Sequence, residues 1–449
     1  MREMDREAIL AAVEAAGVVG AGGAGFPTHK KLAADCEALI INGAECEPLL
    51  QVDKELLHHY LPVVLEGTAA ARKAVGAKRV YLTVKGKYHA LLGEIEQCLA
   101  SWPWVELVPL PDIYPIGDEH LLVYHVLGRP VPPRGLPLQV GAVVLNVETL
   151  YNVAKALNGE SVTQSYVTVN GAVAQPGTWS VPIGTPIEEV IEAARPLVEP
   201  GSQAVITGGP MMGEVVDDLS EPVTKTTKGL IVLPRDHVVV ARLSSEQALL
   251  RWAYSVCCQC TMCTDLCPRH LLGHPLWPHR LMRSLAAGGP LDAESAAGAL
   301  LCSECGVCDQ YACFMGLSPR RVNQVLKAKL GSRLNGLEFS WSEEARAGLA
   351  DGRVPTERLI AHLKLTQWHQ PAPFRGSLPG SRRMTIPLKQ HVGAPASCQV
   401  QPGEVVEAGT LLGKMANGKL GAAVHSSVAG TVIAVADGNV VIERGGSDG

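Results

Sequence analysis

Aromatic side chains are scarce in this chain. Phe, Trp and Tyr make up 4% of its 449 residues, while Gly reaches 46 and Pro 31. That balance speaks against a large helical bundle and for many turns and small β units. An excess of charge of one sign is also missing: 39 basic residues stand against 44 acidic ones, a net charge of −5. Nothing here would draw nucleic acid or an anionic membrane surface. Long apolar runs are lacking too. The stretch from Ala8 to Phe26 carries one charge, Glu14, but Gly17, Gly20, Gly22, Gly23 and Gly25 break it, and a membrane span needs about 20 predominantly apolar residues. No secretory pattern opens the chain, because Arg2 and Arg6 are offset by Glu3, Asp5 and Glu7. The expectation is a soluble cytoplasmic protein in which thiols stay reduced. Its length is too great for one core and suits three or four domains.

Cysteine, by contrast, is plentiful, with 13 in the chain. Cys257, Cys260, Cys263 and Cys267, followed by Pro268, have the C-x2-C-x2-C-x3-C-P spacing of a bacterial ferredoxin. Cys302, Cys305, Cys308 and Cys313 form a second run. A cubane iron–sulfur cluster needs four thiolates around one small body. Three come from a tight loop at two-residue intervals, and the fourth arrives from elsewhere. In two-cluster ferredoxins the fourth Cys of each run serves the other cluster. That predicts Cys257, Cys260, Cys263 and Cys313 on one [4Fe–4S] centre, and Cys302, Cys305, Cys308 and Cys267 on the other. Structural zinc is the rival, although zinc needs only two C-x2-C pairs and here there are two triplets, each with a further Cys beyond. The second run is less regular, with four residues before Cys313 and Phe314 where Pro is expected. Cys258 is off register and reads as a bystander. Cys36, Cys98 and Cys398, in apolar settings, read as core thiols.

Along the chain, residues 3–16 have helical periodicity and lead into a glycine loop, Gly20 to Thr28. Strand patterns at Leu39–Asn42, Val80–Val84, Val105–Leu110 and Val143–Val147 alternate with helical ones at Leu56–Val75, Tyr88–Ala100 and Glu119–Leu127. Such alternation implies a parallel sheet with helices on its faces. A hairpin is expected over Tyr166–Val173 with Asn170-Gly171 at its turn, then a helix at Ile187–Ala194 and strands at Ala204–Thr207 and Leu230–Leu233. The cysteine region, from Ser245 to about Leu330, reads as helical. Residues 331–380 look like a weakly structured linker with one or two helices. From Arg383 the chain turns to short β runs, with two similar hairpin halves at 403–413 and 430–442.

Clustered glycines let a backbone approach a phosphate closely, and Lys31 could add a point charge. The spacing is not that of a Rossmann fingerprint, since a helix precedes the loop. Three polar segments follow strand patterns: Asn42 to Pro48, Tyr114 to Glu119, and Asn146 to Thr149. Ligands bind at strand ends in α/β sheets, so these segments and the glycine loop are expected to converge.

The segments GAGGAGFPTHKKL (Gly20 to Leu32), INGAECEP (Ile41 to Pro48), YPIGDEHLL (Tyr114 to Leu122) and NVETL (Asn146 to Leu150), with CSECGVCDQYAC and MGLSPRR further on, are similar to the RnfC-type family. The likeness covers nearly the whole chain and points to the family's propanediol-utilisation microcompartment branch. The first half also resembles the flavin subunit of respiratory complex I. The resemblance implies a multidomain α/β protein: a complex I flavin-subunit-like FMN domain at 1–160, a β-grasp (SLBB) domain at 161–244, a helical two-cluster ferredoxin domain at 245–335, a linker at 336–380 and a C-terminal barrel-sandwich hybrid at 381–449. That last unit opens the chain in Rnf-complex members; its placement at the end, over Thr385 to Val428, is similar to the microcompartment branch.

The resemblance further implies FMN contacts at Gly20, Gly22, Gly23, Lys31, Asn42, Glu45, Tyr114 and Asn146, with Glu47 and Glu119 near the gap between flavin and nicotinamide. Ala21 and Leu145 stand where complex I has a basic residue and an asparagine. No residue is assigned as a catalytic acid or base, and Glu45 and Glu47 read as positioning groups. The implied activity is oxidation of NADH and single-electron reduction of a corrinoid in support of a B12-dependent diol dehydratase, inside a bacterial microcompartment. A shell protein and a corrinoid adenosyltransferase are the partners it brings in. Two other readings stay open: an electron-input subunit of a membrane ion-translocating complex, and a non-enzymatic electron relay in a microcompartment shell.

Overall fold

The computed structural model describes residues 4–244, 256–286, 293–330, 337–415 and 418–445. Helix α1 (Arg6–Ala15) starts on Asp5, whose carboxylate accepts from the Ala8 amide, the usual way of satisfying a free N–H at a helix start. After the short α2 (Thr28–Leu32) come β1 (Ala38–Gly43), α3 (Val52–Val75), β2 (Arg79–Lys85), α4 (His89–Leu99), β3 (Val105–Leu110), β4 (Ile113–Tyr114), α5 (Glu119–Leu127), β5 (Ala142–Asn146) and α6 (Val147–Leu157). Strands β3, β2, β1 and β5, in that order, form a parallel sheet.

Along β1 the side chains alternate between two cores. Leu39 and Ile41 join Val13, Leu57, Val64 and Leu150 on one face. Ala38 and Ile40 join Leu121, Leu122 and Val144 on the other. Helix α3 bends at Tyr60, two residues before Pro62, because Pro62 removes a donor and crowds the carbonyl one turn back.

The second unit holds β6 (Gln164–Gly171), β7 (Gly177–Pro182), α7 (Ile187–Ala193), β8 (Gln203–Thr207), β9 (Glu214–Val216) and β10 (Gly229–Pro234). The hairpin β6–β7 is present, but Asn170-Gly171 is not its turn. Both residues close β6, and residues 172–176 make the connection. Asn170 is buried and donates to the Leu49 carbonyl at 3.0 Å. Gly171 has φ +100°, and a Cβ there would overlap the Val232 carbonyl. The Asn-Gly pair serves close strand packing rather than chain reversal.

The expected linker is more ordered than its composition implied. Val354–Pro355 pairs with β4, and Phe374–Ser377 adds an outer strand beside β7. Between them the helix Thr356–His362 buries Leu359 and Ile360 against Leu49, Tyr114 and Met211. This apolar anchoring overrides the breakers around it. Short helices frame the cysteine runs: Met262–Asp265, Pro268–Leu271, Pro278–Ala286, Ala293–Gly298 and Pro319–Leu330. The final residues make two small sheets, one of Arg383–Pro387, Asn439–Glu443, Gly430–Ala436 and Val405–Val406, the other of Ser397–Cys398, Leu411–Lys414 and Val424–His425. Their core, including Met384, Ile386, Val424 and Ile442, is continuous with that of the first sheet. Among the described residues no helix is long and apolar enough to cross a membrane.

Helices α3 and α6 cross at Gly67, where a Cβ would overlap the Leu150 carbonyl oxygen. Replacing Gly67 by Ala should therefore destabilise the first unit by about 1–3 kcal/mol, the cost of overpacking, despite the better helix propensity of Ala. Urea unfolding of both proteins checks this; equal midpoints would contradict the close crossing.

Candidate active site

The carboxyl ends of β1 and β5 lie side by side, with Asn42 in register with Asn146. Asn42 donates from Nδ2 to the Gly117 carbonyl at 3.0 Å and accepts from the Ala44 amide at 3.1 Å. Asn146 caps α6 by accepting from the Glu148 amide at 2.9 Å, while its Nδ2 donates to both Asp53 oxygens at 2.9 and 2.8 Å. Gly22 lies over Asn146, so that a Cβ there would come within 3.1 Å of the Asn146 Cβ. The Ala21 amide donates to Thr149 Oγ1 at 3.0 Å. The glycine loop and the three polar segments thus meet at one sheet edge.

The crest of that loop is open. Gly22, Gly23 and Ala24 are exposed, and a Cβ at Gly23 would meet nothing within 4 Å. Lys31 pairs with Glu119 at 2.6 Å. Exposed glycine backbone beside a lysine suits a phosphate, and at Gly22 any side chain would crowd Asn146. The residues present therefore fit a flavin mononucleotide in chemistry.

The C-terminal unit supports the loop from behind. The Val392 amide donates to the Gly25 carbonyl at 3.2 Å, and Gly25, with φ +69°, packs on His391 and Gln390. Lys225 donates to the carbonyls of Gly17 and Ala423 at 2.7 Å each; burial pushes its amine down to about 7. Sequence reasoning found none of these supports, nor Asp53, because no motif marks them; Thr149 lies within the NVETL segment but was not singled out.

Two of the expected flavin-site carboxylates are engaged with protein. Glu45 accepts from the Val52 and Asp53 amides at 2.9 Å each and so holds the start of α3. Burial, then the neighbouring Asp53, keep its carboxyl well above the ordinary range. Burial likewise pushes Asp53 up to about 7 against the pull of Asn146. Glu47 accepts from the Met211 amide at 3.0 Å and the Met212 amide at 2.9 Å. Tyr114 donates its hydroxyl to Glu47 at 3.3 Å and to the Cys305 carbonyl at 2.6 Å. Glu47 joins the first unit to the second and, through Tyr114, to the second cysteine run. Arg320 extends the junction, donating to the Met211 carbonyl at 2.6 Å and to Asp309 at 3.0 Å. Asp118 caps α5 and pairs with Arg269 at 2.7 Å.

The thiols fall into two sets. Cys257, Cys260, Cys263 and Cys313 line one cavity, with the exposed Cys258 also at its wall. Cys267, Cys302, Cys305 and Cys308 line another. The extra residue before Cys313 is taken up by a π-helical turn over Val307–Ala312, which carries more residues per turn than an α-helix. Among the described residues no three His, Cys, Asp or Glu side chains gather tightly enough for a single metal ion; each set of four thiols instead surrounds an open space.

Family models match along the chain: the Nuo51 FMN-binding domain at residues 13–155, the SLBB domain at 166–215, a 4Fe-4S dicluster domain at 256–318 and the RnfC barrel sandwich hybrid domain at 376–446. Cobalamin reductase PduS of Salmonella typhimurium is 42% identical over 440 residues, covering 96% of both chains, and that of Citrobacter freundii is 41% identical over 98% of this chain and 97% of its own. The chain belongs to the PduS cobalamin reductase family.

Like its PduS relatives it is an oxidoreductase, and its domains make it an iron–sulfur flavoprotein of electron transfer. The iron–sulfur match favours clusters over the zinc alternative. A component of the Na(+)-translocating ferredoxin:NAD(+) oxidoreductase complex of Acetobacterium woodii is 35% identical, over 60% of each chain. Among solved structures, an NAD+-reducing [NiFe]-hydrogenase in its H2-reduced state aligns with a TM-score of 0.50 and 27% identity, covering 75% of this chain and 64% of its own.

Burial also pushes the Glu47 carboxyl up, to about 7 from an ordinary 4.5. A carboxyl with a raised folded-state pKa binds protons on folding, so its stabilising contribution is full below the unfolded value and is lost as pH rises through the folded one. Glu47 and Asp53 together should make the protein less stable as pH rises from about 4 to about 7. In Glu47→Gln that slope should shrink by roughly 1–3 kcal/mol. Urea unfolding across this range tests it, and a slope unchanged by the substitution would refute it.

Proposed function

We propose that this chain oxidises NADH and delivers electrons one at a time, through FMN and two [4Fe–4S] clusters, to a corrinoid. The observation that carries this reading is the division of eight thiols into two cavities of four, with the fourth Cys of each run lining the other run's cavity, on a chain that also carries an open glycine loop at its strand ends. When bound, FMN and the clusters supply the exchange between a two-electron hydride donor and one-electron acceptors.

The chain's own residues hold and enclose those groups. Gly20, Gly22, Gly23 and Lys31 would bind the flavin phosphate, and Asn42 and Asn146 would line the strand ends beneath it. Glu119 would answer Lys31 at the mouth of the site, where the nicotinamide is expected. Glu45 acts at one remove by holding the start of α3, and Tyr114 and Glu47 hold the flavin unit against the second cysteine run. Cys257, Cys260, Cys263 and Cys313 would ligate one cluster; Cys302, Cys305, Cys308 and Cys267 would ligate the other. NADH as donor is supported by the FMN-binding domain and by the likeness to a hydrogenase named for reducing NAD+. The corrinoid is supported by relatives named cobalamin reductase that match nearly end to end, whereas the relative from the ion-translocating complex matches over 60% of the chain. Each NADH yields NAD+, a proton and two electrons, enough to convert two Co(III) corrinoids to Co(II). We extend the reading to work beside a diol dehydratase within a bacterial microcompartment, with a shell protein and a corrinoid adenosyltransferase as partners, as the family resemblance implies.

Anaerobic analysis of the reconstituted protein should find about eight irons, with matching sulfide, and one FMN per chain. Cys263→Ala should lose cluster iron while keeping flavin. NADH should bleach the flavin, and cob(III)alamin should then be reduced catalytically. A colourless protein carrying stoichiometric zinc would overturn the cluster assignment. Flavin that NADH does not bleach would favour a relay without dehydrogenase activity.

A further inference from the structure

The two cysteine cavities differ in what surrounds them. The one lined by Cys267, Cys302, Cys305 and Cys308 is pressed against the flavin unit. Tyr114 donates to the Cys305 carbonyl, Arg269 beside Cys267 pairs with Asp118, and Gly306 packs on the Met211 carbonyl, whose amide is bound to Glu47. Val307 and Cys305 share a core with Leu49, Leu50 and Tyr114. Cys267 and Cys308 are buried.

Among the described residues, the cavity lined by Cys257, Cys260, Cys263 and Cys313 has no such link. Its buried apolar neighbours among the described residues, Leu281, Met282, Ala299, Leu317 and Val322, come from the cysteine region itself. Cys258 and Cys260 are exposed. Two large apolar side chains stand open beside its ligands: Met262, between Cys260 and Cys263, is 40% exposed, and Phe314, directly after Cys313, is 63% exposed. Phe314 occupies the place where the first run has Pro268.

Resting on the function proposed above, we infer that electrons enter at the inner, Cys302-containing set and leave at the outer, Cys257-containing set, and that Phe314 and Met262 form the surface on which the corrinoid docks. An acceptor too large to reach a buried cluster must take its electron where a ligand loop meets solvent. A corrin macrocycle offers a broad apolar face, and an exposed ring and thioether beside the thiols give that face something to bury. Each docking event moves one electron: the cluster is oxidised by one unit and one Co(III) becomes Co(II), so two events follow each NADH oxidised.

The test uses the reconstituted holoprotein with NADH as donor and cob(III)alamin as acceptor. The double variant Phe314→Ser, Met262→Ser removes no ligand and no buried atom of the core. It should lower kcat/KM for cob(III)alamin about tenfold, through KM, in line with the loss of a stacking-size contact, while the cluster signals raised by NADH in freeze-quenched EPR keep their rate and intensity. Parental kcat/KM in this variant would overturn the docking surface. In Cys260→Ala the inner cluster should still be reduced by NADH, with cob(III)alamin reduction lost. Failure of NADH to reduce that remaining cluster, when dithionite does so, would reverse the order. A parent protein that lacks clusters, or that ignores cob(III)alamin, would instead defeat the underlying function, and the two failures are told apart by the parent alone.

Discussion

The hydrogen bond from Tyr114 to the Cys305 carbonyl, with Glu47 bound to the same hydroxyl, is the contact on which the architecture turns. It spans 191 positions of sequence and joins the flavin unit, the β-grasp unit and a cysteine loop at one point. With the Arg269–Asp118 ion pair and the shared core of Val307, Leu49 and Leu50, it sets the sheet end against the thiols. Its cost is a carboxyl in surroundings that disfavour its charge, held near neutrality by burial. Two amides and a hydroxyl offset that cost, as buried polar groups require.

Much of the fold was legible from pattern alone. The parallel sheet followed from strands and helices alternating at regular intervals, and the observed bounds differ by a few residues; Val147, read as the end of a strand, begins α6. Convergence of four polar segments followed from the rule that ligand sites sit at strand ends, and Asn42 beside Asn146 embodies it. What could not be read is what depends on distant partners. The fate of Asn170-Gly171 was decided by β10, on the far side of a helix and three strands. The segment 337–380 was ordered by apolar residues too sparse to show a period, because they are shared between a two-residue strand and a short helix.

The carboxylates teach the same lesson at the site. Glu45 and Glu47 lie two positions apart and share a motif, yet one holds a helix terminus and the other a junction between units. Nothing in the motif distinguishes them, since backbone amides from residues 52–53 and 211–212 make the difference. Ligand cysteines are easier to read because a cubane imposes its own spacing. Even there, the irregular interval before Cys313 looked like a flaw and proves to be the length of a π-helical turn.

The C-terminal β unit takes its meaning from position. It contacts the back of the glycine loop through Val392 and the second unit through Thr385 and Ser427, which donate to the Gly184 and Ile183 carbonyls. Lys225 shows how firmly it is seated: an amine enclosed between the Gly17 and Ala423 carbonyls is a poor place for a charge, and burial lowers its pKa accordingly. A lysine kept there at that electrostatic expense ties three stretches of chain with one side chain. A glycine loop open to a ligand on one face gains little rigidity from its own sequence. Support from behind, by Val392, His391 and Gln390, supplies the rigidity that the glycines give up.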